Sequence, residues 1–179
     1  MRVGIGFDVH RLSAAKRLVL GGVDIPFTHG LEGHSDADVL LHAIADAVLG
    51  ALGEGDIGTH FPTTDARYKD IASTRLLDTV AGMMRKRGFG LTNLDATVIA
   101  AAPMLTPHVP AMRETIGGIL SVDSARISIK ATTHEGLDAL GRGEGIAAYA
   151  VVLLAPRRRG KTLRPTTARS RRSRGKRHA

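Results

Sequence analysis

The sequence predicts an α/β sandwich in which helices cover one face of a sheet. Segments with strand-like alternation are interleaved with segments of helical spacing, in the order strand, hairpin, helix, helix, strand, helix, strand, strand. Apolar residues make up 43% of the 179 residues but aromatic residues only 3%, so we expect one domain with an aliphatic core. A single helical layer leaves the other face of the sheet uncovered, which favours oligomerisation through that face.

The N-terminal part is predicted to form a strand, a hairpin and a helix. Apolar residues alternate over 3–7, and a Gly-Gly turn divides the two strand-like halves of 17–27. A loop is expected over 28–33. Helical spacing then extends to Leu52, with Ser35 as the predicted N-cap.

The rest of the chain alternates between loops, helices and strands and contains no internal repeat. The predicted elements, in order, are loop 55–68, helix 73–87, strand 91–102, helix 111–120, strand 126–132, loop 135–145 and strand 146–154. The last strand is largely apolar, so we expect it to be central in the sheet or buried at an interface.

Cysteine is absent, which excludes disulfides and thiolate metal sites, so any metal must be held by histidines and carboxylates. The chain opens on a strand pattern rather than on the basic and apolar regions of a secretory signal. No apolar run reaches the roughly 18 residues that a membrane span needs. A cytoplasmic protein is therefore expected.

The net charge of +8 is concentrated at the C-terminus. Eleven of the 25 Lys and Arg residues lie in 156–179, which contains no acid, so 1–155 carries 14 basic and 17 acidic residues. We expect a mildly acidic folded domain over 1–155 and a disordered basic tail over 156–179. Such a tail would bind polyanions non-specifically, and it has no aromatic residue for base stacking. A nucleic-acid-binding protein is the alternative class of function.

Asp8 and His10 lie two residues apart on the first strand, so their side chains should point the same way, about 6–7 Å apart at the backbone. His42, in an apolar stretch of the first helix, is the candidate third ligand. Two histidines and one aspartate with an open position are typical of a catalytic Zn²⁺ or a similar ion. Asp46, one turn later, is a candidate partner for an imidazole. The alternative is a surface Asp–His pair and a buried structural histidine.

Other segments have the chemistry of phosphate binding. His34 and Ser35 lie at the predicted helix N-terminus, where free N–H groups attract anions. Lys130–Glu135 places hydroxyls and a carboxylate after a strand, and Arg142 lies in a glycine-rich loop. The sequence contains neither a Walker A motif nor a strand-linked Gly-x-Gly-x-x-Gly motif, so neither an ATPase nor a Rossmann fold is supported. A metal-dependent phosphohydrolase is a further alternative.

Six motifs, in their order and spacing, resemble the 2-C-methyl-D-erythritol 2,4-cyclodiphosphate synthase family of the non-mevalonate isoprenoid pathway. They are GFDVHRL, GGVDIP, HSDADVLLHAIADAVLGALGEGDIGTHFP, TDARYKDIAS, KATTHEGL and GRGEGI. The resemblance covers about Met1–Leu154. It implies a single-domain two-layer α/β sandwich with a mixed sheet, assembled as a homotrimer around the sheets, with active sites between neighbouring subunits.

The resemblance also implies an activity, that of a cyclising phosphorus–oxygen lyase. The substrate would be 4-diphosphocytidyl-2-C-methyl-D-erythritol 2-phosphate, and the products the 2,4-cyclodiphosphate and CMP. Asp8, His10 and His42 match the ligands of a divalent metal, usually zinc. Glu135 matches a ligand of a second ion, magnesium or manganese, bound with the diphosphate.

His34 and Thr133 match the positions that stabilise the transition state in this family. The positions that match substrate-binding residues are Asp8, Val9, His10, His34, Ser35, Asp56, Ile57, Gly58, Phe61, Pro62, Thr63, Thr64, Asp65, Ala100, Ala101, Ala102, Pro103, Met104, Leu105, Thr106, Thr132, Thr133, His134, Glu135 and Arg142.

Overall fold

The structure is a computed structural model that describes residues 1–14 and 16–157. Its strands are β1 (Arg2–Ser13), β2 (Leu18–Leu20), β3 (Val23–Ile25), β4 (Gly30–Leu31), β5 (Phe89–Ile99), β6 (Ile127–Thr132) and β7 (Gly145–Pro156). Five of them form a sheet in the order β4-β1-β7-β5-β6, and β2 and β3 form the predicted hairpin. Of the basic tail predicted over 156–179, residues 158–179 lie outside the described residues.

The sheet is mixed, because β7 pairs antiparallel with β1 and β5 while β5 pairs parallel with β6. β7 occupies the centre, which confirms the central position predicted for the apolar strand 146–154. β4 pairs antiparallel with β1 at one edge of the sheet. It lies inside 28–33, so the prediction of a loop there is wrong for these two residues.

The helices are α1 (Val39–Leu52), α2 (Ile57–His60), α3 (Ser73–Lys86), α4 (Val109–Leu120) and α5 (Asp138–Gly141). The three long helices were all predicted, whereas the four-residue helices α2 and α5 lie in segments predicted as loops. Across the described ranges, no helix is long and apolar enough to cross a membrane.

The N-cap of α1 is Asp38, not Ser35 as the sequence predicted. Its Oδ1 accepts the backbone N–H of Leu41 at 3.0 Å, and helical backbone begins at Val39. His34 and Ser35 therefore precede the helix and do not lie at its N-terminus. The predicted position of these two residues at a helix N-terminus is wrong, and anion binding by them stays a prediction.

α1 packs directly on the backbone of β1 because two glycines of that strand face it. A Cβ built on Gly4 would lie 1.9 Å from the carbonyl oxygen of Ala47, and one on Gly6 would lie 1.9 Å from that of Ala43. The even-numbered residues of β1 thus face the helix. The odd-numbered residues face away from it, and Val3 is 68% exposed.

Gly6→Ala is expected to destabilise the fold by about 1–3 kcal/mol, because the added methyl group would overlap the backbone of α1. Urea unfolding measures the loss. Gly118→Ala is the matched control, since a methyl group there meets no atom within 4 Å on α4. It should be neutral or stabilise by up to about 1 kcal/mol. Equal stability of wild type and Gly6→Ala would contradict the close helix–strand contact.

The face of the sheet opposite the helices is apolar and uncovered in the single chain. It presents Val3, Ile5 and Phe7 from β1 together with Tyr149 and Val151 from β7, and all five side chains are exposed. The rings of Phe7 and Tyr149 pack with centroids 4.6 Å apart. A contiguous apolar patch of this kind is typical of an interaction surface.

Candidate metal centre

The three predicted metal ligands converge between β1 and α1. Asp8 and His10 extend from the helix-facing side of β1, and His42 extends from the first turn of α1. Asp8 Oδ2 lies 3.0 Å from His10 Nε2 and 2.9 Å from His42 Nδ1, and these two nitrogens are 3.2 Å apart. The group has the composition and spacing to hold a metal ion.

The outer nitrogens of both imidazoles also have partners. His10 Nδ1 lies 2.6 Å from the carbonyl oxygen of Glu32, which can only accept, so Nδ1 carries a proton. His42 Nε2 lies 2.8 Å from Ser73 Oγ. When the outer nitrogens carry the protons, the inner nitrogens can direct their lone pairs to a cation bound beside Asp8. Two imidazole lone pairs and a carboxylate at these distances fit a divalent cation, and hydrogen-bonded outer nitrogens are typical of metal-ligating histidines.

The electrostatics of the group favour bound positive charge. Burial raises the pKa of the Asp8 carboxyl, but hydrogen bonds and charges from His10 and His42 outweigh burial and hold that pKa below its usual value. Burial lowers the pKa of His10, but Asp8 and the Glu32 carbonyl raise it more. A divalent ion held by one carboxylate and two neutral imidazoles keeps a net charge of +1, which attracts a phosphate oxygen.

A cavity of about 180 Å³ opens on this group. Besides the three ligands, its lining residues are His34, Ser35, Ile57, Gly58, Phe61, Thr63, Tyr68, Ile71 and Leu76. His34 Nε2 is buried and has no hydrogen-bond partner among the described residues. Buried polar atoms of this kind are commonly completed by water or by a ligand.

A second cavity, of about 320 Å³, lies beyond the C-terminal ends of β5 and β6. Its lining residues are Ala100, Ala101, Pro103, Met104, Leu105, Thr106, Ala131, Thr132 and Thr133. The peptide bond between Ala102 and Pro103 is cis. Beside this cavity, Thr133 Oγ1 donates a hydrogen bond to Glu135 Oε1 at 2.9 Å.

The two cavities lie at the same end of the sheet but on different strands. Asp8 pairs with Ala148 on β7, Ala148 pairs with Val98 on β5, and Val98 pairs with Ala131 on β6. Three strand spacings of about 4.8 Å place the metal-ligand group and the end of β6 about 14 Å apart. His34 and Thr133, the two predicted catalytic residues, therefore line different cavities within one chain.

The predicted substrate-binding residues divide between these cavities. The first contains Asp8, His10, His34, Ser35, Ile57, Gly58, Phe61 and Thr63. The second contains Ala100, Ala101, Pro103, Met104, Leu105, Thr106, Thr132 and Thr133. Neither lining includes Val9, Asp56, Pro62, Thr64, Asp65, Ala102, His134, Glu135 or Arg142.

Several of these remaining residues have local positions or contacts of their own. Val9 faces the uncovered side of the sheet and is 49% exposed. Asp56 accepts the backbone N–H of Thr59 and caps α2. Arg142 Nε donates to Glu144 Oε1 at 2.6 Å.

Sequence reasoning missed three residues of the first cavity, namely Tyr68, Ile71 and Leu76. In the sequence, Leu76 has the spacing of a core residue on α3. Nothing in the local sequence shows that its side chain also lines a cavity.

The proposed role of Asp46 is wrong, because its Oδ1 accepts the backbone N–H of Ile57 at 2.8 Å rather than orienting an imidazole. Asp46 thereby ties the α2 segment to α1.

Comparison with known proteins identifies the family. The model of the YgbB family matches residues 1–155. The chain belongs to the YgbB family. This match extends over the whole predicted domain, and it confirms the resemblance drawn from the six motifs.

Similar YgbB-family proteins and structures bear the name expected from the motifs. The 2-C-methyl-D-erythritol 2,4-cyclodiphosphate synthase of Pelobacter propionicus is 60% identical over 154 residues, covering 86% of this chain and 98% of that protein. The Geobacter sulfurreducens synthase has the same identity and coverage. A solved structure of a 2C-methyl-D-erythritol-2,4-cyclodiphosphate synthase has a TM-score of 0.80 at 37% identity, covering 86% of this chain and 100% of that one.

A second solved structure, the Plasmodium falciparum IspF CDP complex, has a TM-score of 0.77 at 35% identity, covering 87% of this chain and 96% of that one. The fold of the YgbB family thus agrees with the mixed α/β sandwich found here.

Proposed function

We propose that this chain converts 4-diphosphocytidyl-2-C-methyl-D-erythritol 2-phosphate into 2-C-methyl-D-erythritol 2,4-cyclodiphosphate and CMP. The observation that carries the proposal is the convergence of Asp8, His10 and His42 in a chain whose relatives bear the name of that synthase. An oxygen of the 2-phosphate attacks the β-phosphorus of the same molecule. The bond from that phosphorus to the oxygen bridging to the α-phosphate breaks, and CMP leaves with the electron pair.

The proposed reaction needs no covalent nucleophile from the protein. The nucleophile is a phosphate oxygen that is already ionised near pH 7, so no general base is needed. Nucleophile and electrophile belong to one molecule, and holding such groups in attack geometry can lower a barrier by about 7–11 kcal/mol. The protein must therefore bend the substrate and neutralise its charge.

Charge neutralisation is assigned to the first cavity. Asp8, His10 and His42 would hold a divalent cation, most suitably zinc for this ligand set, which when bound supplies Lewis-acid neutralisation of the β-phosphate. His34 and Ser35 on the cavity wall would donate hydrogen bonds to phosphate oxygens as charge moves toward the leaving group. Positioned donors of this kind act most strongly where water is excluded.

The methylerythritol part of the substrate would lie against the apolar wall of the same cavity. Ile57, Phe61 and Leu76 form much of that wall. Gly58 lets the backbone of α2 approach a ligand closely, because it has no side chain. Asp56, Pro62, Thr64 and Asp65, which belong to the same segment but do not line the cavity, would contact the methylerythritol phosphate from its edge.

The second cavity is proposed to hold the cytidine and the diphosphate. Ala100–Thr106 would contact cytosine through its backbone, and Thr132 and Thr133 would donate to the diphosphate. Glu135 would hold a magnesium or manganese ion against the diphosphate, with Arg142 as a further cationic contact. The CDP bound in the Plasmodium falciparum relative supports a nucleotide in this fold.

A homotrimer is the proposed assembly, and two features support it. The two cavities lie on strands about 14 Å apart in one chain. Packing of the uncovered sheet faces around a threefold axis would bury Phe7, Tyr149 and their apolar neighbours, and it would place the β5–β6 end of one subunit beside the metal-ligand group of the next. One active site would then contain residues from both subunits.

Phosphorus NMR of the reaction mixture tests the proposed function. Incubation of the metal-supplemented protein with the substrate should give two mutually coupled phosphorus resonances of a cyclic diphosphate, together with CMP. A phosphohydrolase would use water as the nucleophile and would give an open-chain product without a cyclic diphosphate. Protein treated with a chelator is the control and should leave the substrate intact. An open-chain product from the wild-type protein would refute cyclisation.

A further inference from the structure

We propose that Ser73 and Asp36 are positioning residues that set which nitrogen of His42 faces the metal-ligand group, and thereby set the affinity of the site for a divalent cation. This inference rests on the metal site proposed above. It adds two residues to which neither the motifs nor the comparisons give a role.

Ser73 lies where α3 meets His42. It is the first residue of α3 and has no solvent exposure, and its Oγ lies 2.8 Å from His42 Nε2. A hydroxyl can donate or accept a hydrogen bond. The distance alone therefore does not decide which nitrogen of His42 carries the proton.

Asp36 decides the direction of this hydrogen bond. Its Oδ1 accepts the hydroxyl proton of Ser73 in a short hydrogen bond, and its Oδ2 accepts the backbone N–H of Ser73 at 3.0 Å. Because the Ser73 proton points to Asp36, the Ser73 oxygen is left to accept from His42 Nε2–H. In this tautomer the lone pair of His42 Nδ1 is available to a cation bound beside Asp8, whose Oδ2 lies 2.9 Å away.

Asp36 is itself held by the backbone just before α3. Its backbone N–H donates to the carbonyl oxygen of Ile71 at 3.1 Å. Its carboxylate lies at the N-terminus of α3, where negative charge is favourable and where the N-cap residue Ala72 supplies no side-chain hydrogen bond. The chain of contacts from Asp36 through Ser73 to His42 is thus built into the packing of α3 against the loop before α1.

Ser35 is the competing partner of His42. Its Oγ lies 3.1 Å from His42 Nε2 and 3.3 Å from Ser73 Oγ, and it accepts the backbone N–H of Ala37. A proton donated by Ser35 to Nε2 would leave the imidazole proton on Nδ1, where a metal would have to displace it. The shorter contact and the hold of Asp36 on Ser73 favour the first arrangement.

The first test measures Zn²⁺ affinity of the full-length chain by competition with a chromophoric chelator. Ser73→Ala should weaken binding about 10–100-fold, which is the usual effect of removing a hydrogen-bond partner of a metal ligand. Asp36→Asn, which keeps the shape of the side chain but removes its charge, should weaken binding in the same direction. Ser128→Ala and Asp24→Asn, at exposed positions away from the site, should stay within about twofold of wild type.

The second test reads the His42 proton directly. In Zn²⁺-loaded protein with ¹⁵N-labelled histidine, His42 Nε2–H should give a proton resonance that exchanges slowly with water, and Ser73→Ala should lose it. If Ser73→Ala binds Zn²⁺ more weakly but keeps this resonance, Ser73 has a merely structural role and the inference is overturned. Unchanged Zn²⁺ affinity in Ser73→Ala would also overturn it. Loss of the resonance in Ser35→Ala but not in Ser73→Ala would show that His42 Nε2–H donates to Ser35, and this result would overturn the inference as well.

Two further outcomes are decisive. If Ser73→Ala does not fold, Asp36→Asn tests the same role by the same two measurements. If the wild-type protein binds no Zn²⁺, the proposed metal site fails and the inference fails with it. A wild type that binds Zn²⁺ beside variants that bind it equally well refutes the role of Ser73 and Asp36 alone.

Discussion

His42→Ala should abolish retention of divalent metal and lower the cyclisation rate by about a hundredfold to a thousandfold. The rate estimate follows from the several kcal/mol of transition-state stabilisation that a bound metal supplies. Removal of His42 leaves Asp8 and His10 as two ligands from one strand, with no third donor from α1. Metal content after gel filtration, measured by atomic emission, and the initial rate of CMP release check the two parts of the prediction.

The fold should survive this substitution. His42 lies in the first turn of a helix whose neighbours are aliphatic, and alanine is the most favourable residue for a helix. The elution volume should therefore equal that of wild type. His29→Ala is the matched control, because His29 is exposed and contacts Thr28 rather than the metal-ligand group. His42→Ala protein that retains its full metal content would refute the ligand assignment.

Local sequence patterns predict part of the metal-ligand group. The two-residue period of β1 suffices to place Asp8 and His10 on one side of a strand, and the structure confirms it. The approach of His42 depends on something not local, namely the contact of α1 with the bare backbone at Gly4 and Gly6. Spacing identified His42 as a candidate, but only the glycine contacts explain why it reaches Asp8.

Side-chain competition is the harder problem for sequence reasoning. Ser35 and Asp38 are both acceptable N-caps, and the segment before α1 contains both. The choice of Asp38 depends on the hairpin turn, whose backbone N–H groups need an acceptor at that position. The location of Thr133 relative to His34 is harder still, because it depends on the strand order and, in the proposed trimer, on a neighbouring subunit.

Asp38→Ala should destabilise the protein by about 3–5 kcal/mol, the largest stability effect we expect from a single side chain away from the metal-ligand group. The carboxylate is fully buried and accepts three backbone N–H groups, from Gly21 at 2.9 Å, Gly22 at 2.7 Å and Leu41 at 3.0 Å. Alanine would leave these donors without an acceptor and would remove the N-cap of α1. Urea unfolding of metal-free protein at one fixed chain concentration measures the loss.

Asp123→Ala is the control for Asp38→Ala, since Asp123 also caps a helical turn through the N–H of Ala125 but lies at the surface. It should cost no more than about 1 kcal/mol. If Asp38→Ala also lowers stability by no more than about 1 kcal/mol, the backbone N–H groups of the hairpin turn must have other hydrogen-bond acceptors.

The stability difference between wild type and Asp38→Ala should also depend on pH. Burial raises the pKa of Asp38 to about 6, against the opposing hydrogen bonds from Gly22, Leu41 and Gly21. Because the folded state holds this proton more tightly than the unfolded state, the contribution of Asp38 is greatest below the unfolded pKa of about 4 and declines as the pH rises through about 6. The advantage of wild type over Asp38→Ala should therefore be larger at pH 5 than at pH 7.5. An advantage that shrinks on acidification would mean that the three N–H groups outweigh burial and keep the carboxylate ionised in the folded protein.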